Sequence, residues 1–281
     1  MTAAAASHGA SAAELAKFRQ LQRHWWDPTG PLRTLHLLNP TRVAYIHRAC
    51  QRYARRSTPH TSADALRGLR VLDVGCGGGV LSESLARLGG HVLGIDAGGE
   101  AVGVALRRRG QLLRSVEHTH SEPAQLNYRH VSLHTVALEE KQQFDLVVAS
   151  EVMEHVDDAP GFVRDLCAAT KPGGILVVST MDKSLRAAVG FIGVAEYITG
   201  LVPPGTHDWT KFVPPKDLSR CALTHQVREV DLQYVMACPD PLKSIATRQL
   251  QLSFSLTTRF DTGHYFWTGV KMPTPAATTT T

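Results

Sequence analysis

The chain has 281 residues, 43% hydrophobic and 20% charged, enough apolar material to bury a full core, which excludes a disordered or fibrous protein. Its 30 Lys and Arg against 25 Asp and Glu leave a formal charge of +5. That excess suits phosphates or an anionic membrane surface and is too small to argue for nucleic acid. The five cysteines are widely spread, odd in number and without a CxxC pair, so they read as reduced thiols rather than a zinc or disulfide framework. No apolar run reaches the roughly 18 residues of a membrane span. The Ala/Ser-rich start, Met1 to Ala16, lacks the marks of a secretory signal and the arginines of a good mitochondrial presequence.

In chain order, a helix is expected from Ser11, with Glu14 as capping-box partner and Leu15, Phe18, Leu21 and Trp25 at helical spacing. Trp25-Trp26-Asp27-Pro28-Thr29-Gly30-Pro31 breaks it. A second helix is expected from Asn39-Pro40 to Arg56, Asn39 serving as N-cap and Pro40 as a first-turn residue. From Arg70 the pattern changes. Strands are predicted at 70–74, 91–96, 128–133, 144–149, 175–179, 228–236 and 263–270. Helices are predicted at 80–88, 101–113, 159–170 and from Pro214-Pro215. Alternating strands and helices make an α/β protein with a doubly wound, mostly parallel, seven-stranded sheet.

Asp73-x-Gly75-x-Gly77-x-Gly79 follows the first strand and opens a helix, and Asp96 ends the second strand. Glycines let a ligand approach the backbone closely, and an acid at that place reaches a ribose hydroxyl pair. The block resembles the class I S-adenosylmethionine-dependent methyltransferases. A nicotinamide fingerprint would need G-x-G-x-x-G, and its third glycine would fall on Val80. The Lys171-Pro172-Gly173-Gly174 turn before an apolar strand is also typical of that class.

After the strand Phe144 to Ala149 comes Glu151-Val152-Met153-Glu154-His155. In a helical turn, 151, 154 and 155 share a face. Two carboxylates and an imidazole there are suited to a divalent cation such as Mg²⁺. The plainer reading is a solvated acidic turn with His155 packed beside a cofactor.

Four segments, Trp25-Trp26-Asp27, Leu35-His36-x-x-Asn39-Pro40-x-Arg42, Ala149-Ser150-Glu151-Val152-Met153-Glu154-His155-Val156 and Gly205-Thr206-His207-Asp208-Trp209, resemble the ubiquinone-biosynthesis O-methyltransferases in colinear order. The resemblance implies methyl transfer from S-adenosylmethionine to a hydroxyl of a polyprenyl-dihydroxybenzoate and of demethylubiquinol. It implies cofactor binding by Arg42, Gly75, Asp96 and Ser150, a divalent metal, Mg²⁺ or a similar ion, on Glu151, Glu154 and His155, and catalytic roles for Glu154 and His155. Another small phenolic or lipid acceptor is the alternative, and a nicotinamide-dependent oxidoreductase the more distant one. The expected partners are the prenylated substrate, an anionic membrane surface and other proteins of the pathway, with no nucleic acid. In a eukaryote the family works on the matrix side of the mitochondrial inner membrane, and a bacterial relative is cytoplasmic.

Two features depart from the family. His134-Thr135 stands where acids often follow the third strand, and the chain after about Val235 matches poorly. The expected organisation is a tail over 1–12, a helical cap over 13–63, a methyltransferase domain over 64–272 with an inserted lid at 185–213, and a tail over 273–281. The apolar stretch 185–202 reads either as a lid admitting a prenyl tail or as a core-facing helix. Arg48, Arg52, Arg55, Arg56 and Arg107-Arg108-Arg109 read either as a lipid-facing surface or as solvated helix faces.

Overall fold

The computed structural model describes residues 21–54, 65–116, 125–183, 209–247, 250–259 and 261–273. The expected tail over 1–12, most of the first predicted helix, Arg55, Arg56, the stretch 185–202, His207, Asp208 and all but the start of the C-terminal tail lie outside these residues.

The strands are β1 (Arg70–Val74), β2 (His91–Asp96), β3 (Leu126–His130), β4 (Phe144–Ser150), β5 (Thr170–Met181), β6 (Val227–Pro239), β7 (Leu252–Thr257) and β8 (His264–Lys271). They form one sheet in the order β3-β2-β1-β4-β5-β8-β6-β7. β3, β2, β1, β4 and β5 are mutually parallel, while β8, β6 and β7 join antiparallel. Helices cover both faces, so β1 and β4 are short, nearly continuous apolar runs rather than alternating ones.

The helices are α1 (Arg33–Tyr53), α2 (Val80–Arg87), α3 (Gly99–Val116), α4 (Leu133–Glu139), α5 (Ala159–Ala169), α6 (Pro215–Thr224) and α7 (Pro241–Thr247). One core contains Leu38 and Ile46 of α1, Leu85 of α2, Val102 of α3 and Val71 of β1. The other contains Val136 of α4, Phe162 and Leu166 of α5, Leu218 of α6 and Trp267 of β8. Each fully buried side chain of this size contributes about 2 kcal/mol of transfer free energy.

The sheet has eight strands among the described residues, not seven: β7, preceded by α7, pairs with the lengthened β6 at the sheet edge. α1 begins at Arg33, so Pro40 lies inside it. Asn39 does not cap that helix, because its amide donates to Ser84 Oγ of α2 at 2.9 Å. β3 stops at His130, since Ser132 turns the chain by accepting the Thr135 N–H and capping α4, a helix absent from the sequence expectation. The Lys-Pro-Gly-Gly turn is absorbed into β5 as an irregularity in its pairing with β4. No helix among the described residues is long and apolar enough to cross a membrane. None of the five cysteines is joined in a disulfide.

Candidate functional site

The strand order reverses between β1 and β4, and the crevice this leaves at the carboxyl ends of the strands is where open α/β sheets bind ligands. A cavity of about 260 Å³ opens there. It is lined by α1, the glycine loop, the ends of β2 and β4, the loop after β3 and the start of β8. Arg42, Gly75, Asp96, Ser150, Glu151, Glu154 and His155 all face it.

The glycine loop leaves β1 with Gly75 and Cys76 both donating their N–H to Ile95 O, at 2.8 and 3.0 Å. Gly75 has φ +69°, and a Cβ there would fall 2.4 Å from Val152 Cγ2, so the position accepts no side chain. The Asp96 carboxylate accepts the Gly77 N–H at 2.9 Å and the Gly98 N–H at 2.7 Å, tying this loop to the one after β2. Burial raises the Asp96 pKa from its usual value, and those two N–H bonds oppose the shift. Asp73 is deeply buried, and burial pushes its carboxyl up to about 6 against the opposing pull of the Ser82 hydroxyl and Arg42.

Arg42 enters from α1 and is 4% exposed. Its Nη2 donates to Leu35 O at 3.2 Å and Asn39 Oδ1 at 3.0 Å, while its Nε is buried with no partner among the described residues. Burial lowers the guanidinium pKa, and the nearby Glu151 and Asp73 carboxylates work against that shift. A buried cationic donor with an unused N–H, a glycine loop and a carboxylate at the end of β2 fit a nucleoside joined to an anionic amino acid.

At the other side of the cavity, Glu151 follows β4 in the left-handed region, with φ +59°. Its Oε1 accepts the Ser179 hydroxyl at 2.6 Å and pairs with His264 Nε2 at 2.8 Å. Burial alone would raise the Glu151 carboxyl. The His264 charge, the bonds from His264 and Ser179, and Arg42 outweigh it and hold the group at about 2. Burial alone would lower His264, and Glu151 reverses the sign, so the imidazole is held protonated above its usual range. Ser150 Oγ lies 2.7 Å from Ser179 Oγ. Glu154 is buried and accepts the Thr180 hydroxyl at 2.6 Å, and His155 is buried beside it.

The shared helical face expected for Glu151, Glu154 and His155 does not form. The chain takes a left-handed residue at 151 and then a short 3₁₀ turn, Met153–His155. Glu151 is drawn toward β5 and β8 by Ser179 and His264. Among the described residues no group of three or more His, Cys, Asp or Glu is placed to hold a metal ion. The expected Mg²⁺ trio therefore does not fit this donor arrangement, and the chemistry below runs through no metal.

His264 and Ser179 escaped the sequence reading. His264 lies 113 residues from Glu151 and meets it only because β8 pairs with β5, Met181 facing His264. The only trace in the sequence is a histidine opening a late apolar strand. His134, flagged as a departure, pairs through Nδ1 with the buried Asp165 of α5 at 2.9 Å, and both line the cavity. Arg108, part of the proposed lipid-facing run, bonds Glu83 and lies over the Trp26 ring at 4.3 Å, while Arg48, Arg52 and Arg107 are exposed.

A methyltransferase-domain family profile matches residues 44–228. A ubiquinone biosynthesis O-methyltransferase of Methylobacterium sp. (strain 4-46) is 38% identical over 247 residues, covering 88% of this chain and 94% of that protein. One from Methylobacterium nodulans is 38% identical over 231 residues, covering 80% and 86%. Among solved structures, a magnesium protoporphyrin IX methyltransferase from Synechocystis PCC 6803 with bound SAH superposes with a TM-score of 0.57 at 18% identity, covering 91% of this chain and 94% of that one. The same enzyme with bound SAM gives 0.54. Those two likenesses establish the Rossmann-like class I methyltransferase fold. The sequence relatives go further: the chain belongs to the ubiquinone biosynthesis O-methyltransferase family of S-adenosylmethionine-dependent enzymes.

Proposed function

We propose that the protein transfers a methyl group from S-adenosylmethionine to a phenolic hydroxyl of a polyprenyl-dihydroxybenzoate and of demethylubiquinol. The observation that carries the reading is one cavity with two chemically distinct sides. Arg42, the glycine loop and Asp96 form one, and Glu154 and His155, beside the Glu151–His264 pair, form the other.

S-adenosylmethionine, when bound, supplies an electrophilic methyl group. In this reading Asp96, Arg42 and Ser150, which line the cavity, take the ribose hydroxyl pair, the carboxylate and a polar edge between the two sides in turn. The glycine loop gives the backbone close approach. A neutral phenol is a poor nucleophile, so its proton must leave as the oxygen attacks. Proton removal falls to Glu154 and His155, since Glu151 is committed to His264. The apolar walls, including Val156, Phe162 and Met181, exclude water and hold the ring in line. A prenylated acceptor brings this chemistry to a membrane surface.

The test is product analysis with isotopically labelled S-adenosylmethionine and a short-chain prenyl-dihydroxybenzoate. The expected outcome is one labelled methyl on a ring oxygen. Tight S-adenosylhomocysteine binding with no transfer to prenylated catechols or quinols, but transfer to an unrelated phenol, would replace this acceptor class.

A further inference from the structure

We propose that Trp25 is a cofactor-contacting residue whose indole N–H donates, together with Arg42 Nε, to the methionine carboxylate of the bound cofactor; the inference rests on the cofactor reading above. Trp25 lines the cavity and is 8% exposed. Its Nε1 is buried and has no hydrogen-bond partner among the described residues. A buried donor left in that state is destabilising, so a ligand that satisfies it recovers the difference.

The indole needs no such bond to hold its place. Its ring lies flush on the glycine loop: a Cβ on Gly77 would fall 2.1 Å from Trp25 Cη2, and one on Gly78 2.5 Å from Trp25 Cβ. The Trp25 carbonyl lies 2.8 Å from His36 Nε2 of α1. Next door, Trp26 Nε1 donates to Gly78 O at 2.9 Å, and Arg108, paired with Glu83, caps the Trp26 ring. These contacts fix the indole over the loop while its N–H stays unspent.

Arg42 Nε is the second buried donor in the same cavity without a partner among the described residues. Five of the carboxylates there already accept hydrogen bonds from other groups: Asp73 from Ser82, Asp96 from Gly77 and Gly98, Glu151 from Ser179 and His264, Glu154 from Thr180, and Asp165 from Arg164. Two idle donors, one of them cationic, call for an anion with two oxygens. The amino-acid end of S-adenosylmethionine carries one, and the adenosine end does not.

Trp25→Phe removes the N–H together with the outer indole carbons that rest on Gly77, so a loss shared by ligands with and without a carboxylate reads packing and a loss confined to the carboxylate-bearing ligand reads the N–H. Calorimetric titration of the full-length wild type and variant with S-adenosylhomocysteine and with methylthioadenosine, which lacks the amino-acid part, separates the possibilities. The expected result is an affinity for S-adenosylhomocysteine about tenfold weaker in the variant, with methylthioadenosine binding changed less than twofold. Unchanged binding of both ligands, or an equal loss for both, overturns the proposal, the second assigning Trp25 to loop packing alone. A wild type that binds neither ligand overturns the cofactor reading itself, a separate failure.

Discussion

Glu151 illustrates how one side chain sets the character of the site. Its carboxyl is held at about 2, below its ordinary 4.5, so its pairing adds stability above pH 4.5 that is lost as pH falls through about 2. His264 is shifted the other way, above 6.5, so its contribution is complete below pH 6.5 and is lost as pH rises through the raised value. Both contributions are present together between pH 4.5 and 6.5. Glu151→Gln should therefore destabilise the protein by about 3 kcal/mol inside that window and by less at higher pH. In the same variant the His264 imidazole should titrate below 6.5, because burial remains and the carboxylate is gone. Urea unfolding at several pH values and imidazole NMR check both; a penalty independent of pH would contradict the pairing. At this scale Gly75 and Asp96 stood out in the sequence as a glycine loop and an acid ending the second strand, whereas Arg42 and Ser150 were named only through the family resemblance; all four line the cavity. The Glu151 partnership was not, because it is made across β5 and β8 and no local spacing encodes it.

Elements are fixed by similar cross-connections. Lys271, at the end of β8, is 5% exposed and sends its ammonium into the protein. It donates to Cys167 O at 2.6 Å and Thr170 O at 2.9 Å, carbonyls at the carboxyl end of α5, where a positive charge complements the helix dipole. Lys271→Met preserves length and apolar stem but leaves those carbonyls without this donor. The expected loss is about 2 kcal/mol, read as a lower urea midpoint at unchanged slope, with S-adenosylhomocysteine affinity intact. A midpoint equal to wild type would mean that the ammonium contributes nothing to the α5–β8 junction. The alternating strands and helices from Arg70 to Ser179 were legible because apolar runs and glycine turns punctuate them. α4 was not: Leu133 to Glu139 makes only seven residues, and its start depends on the Ser132 side-chain cap, which a reading of apolar periodicity passes over. The start of α1 was misplaced for a related reason, since Asn39-Pro40 carries the signature of a helix start yet spends its amide on Ser84.

Across the whole molecule, the fold brings an N-terminal segment, a glycine loop and a late antiparallel strand to one crevice. Trp25 and Arg42 come from before the sheet begins, and His264 from its last strand. The added hairpin of β6 and β7 lies at the opposite sheet edge from β3. It packs on α1, with Thr41 Oγ1 donating to Phe254 O at 3.1 Å, so this late hairpin supports the helix that carries Arg42. The central claim is that cofactor and phenol meet in this crevice and that Glu154 and His155 remove the phenolic proton there. The most direct measurement is kcat together with S-adenosylhomocysteine affinity for Glu154→Gln and His155→Asn. At least one variant should lose about 10²- to 10⁴-fold in kcat while both bind S-adenosylhomocysteine as the wild type does. Turnover within twofold of wild type in both variants would contradict it.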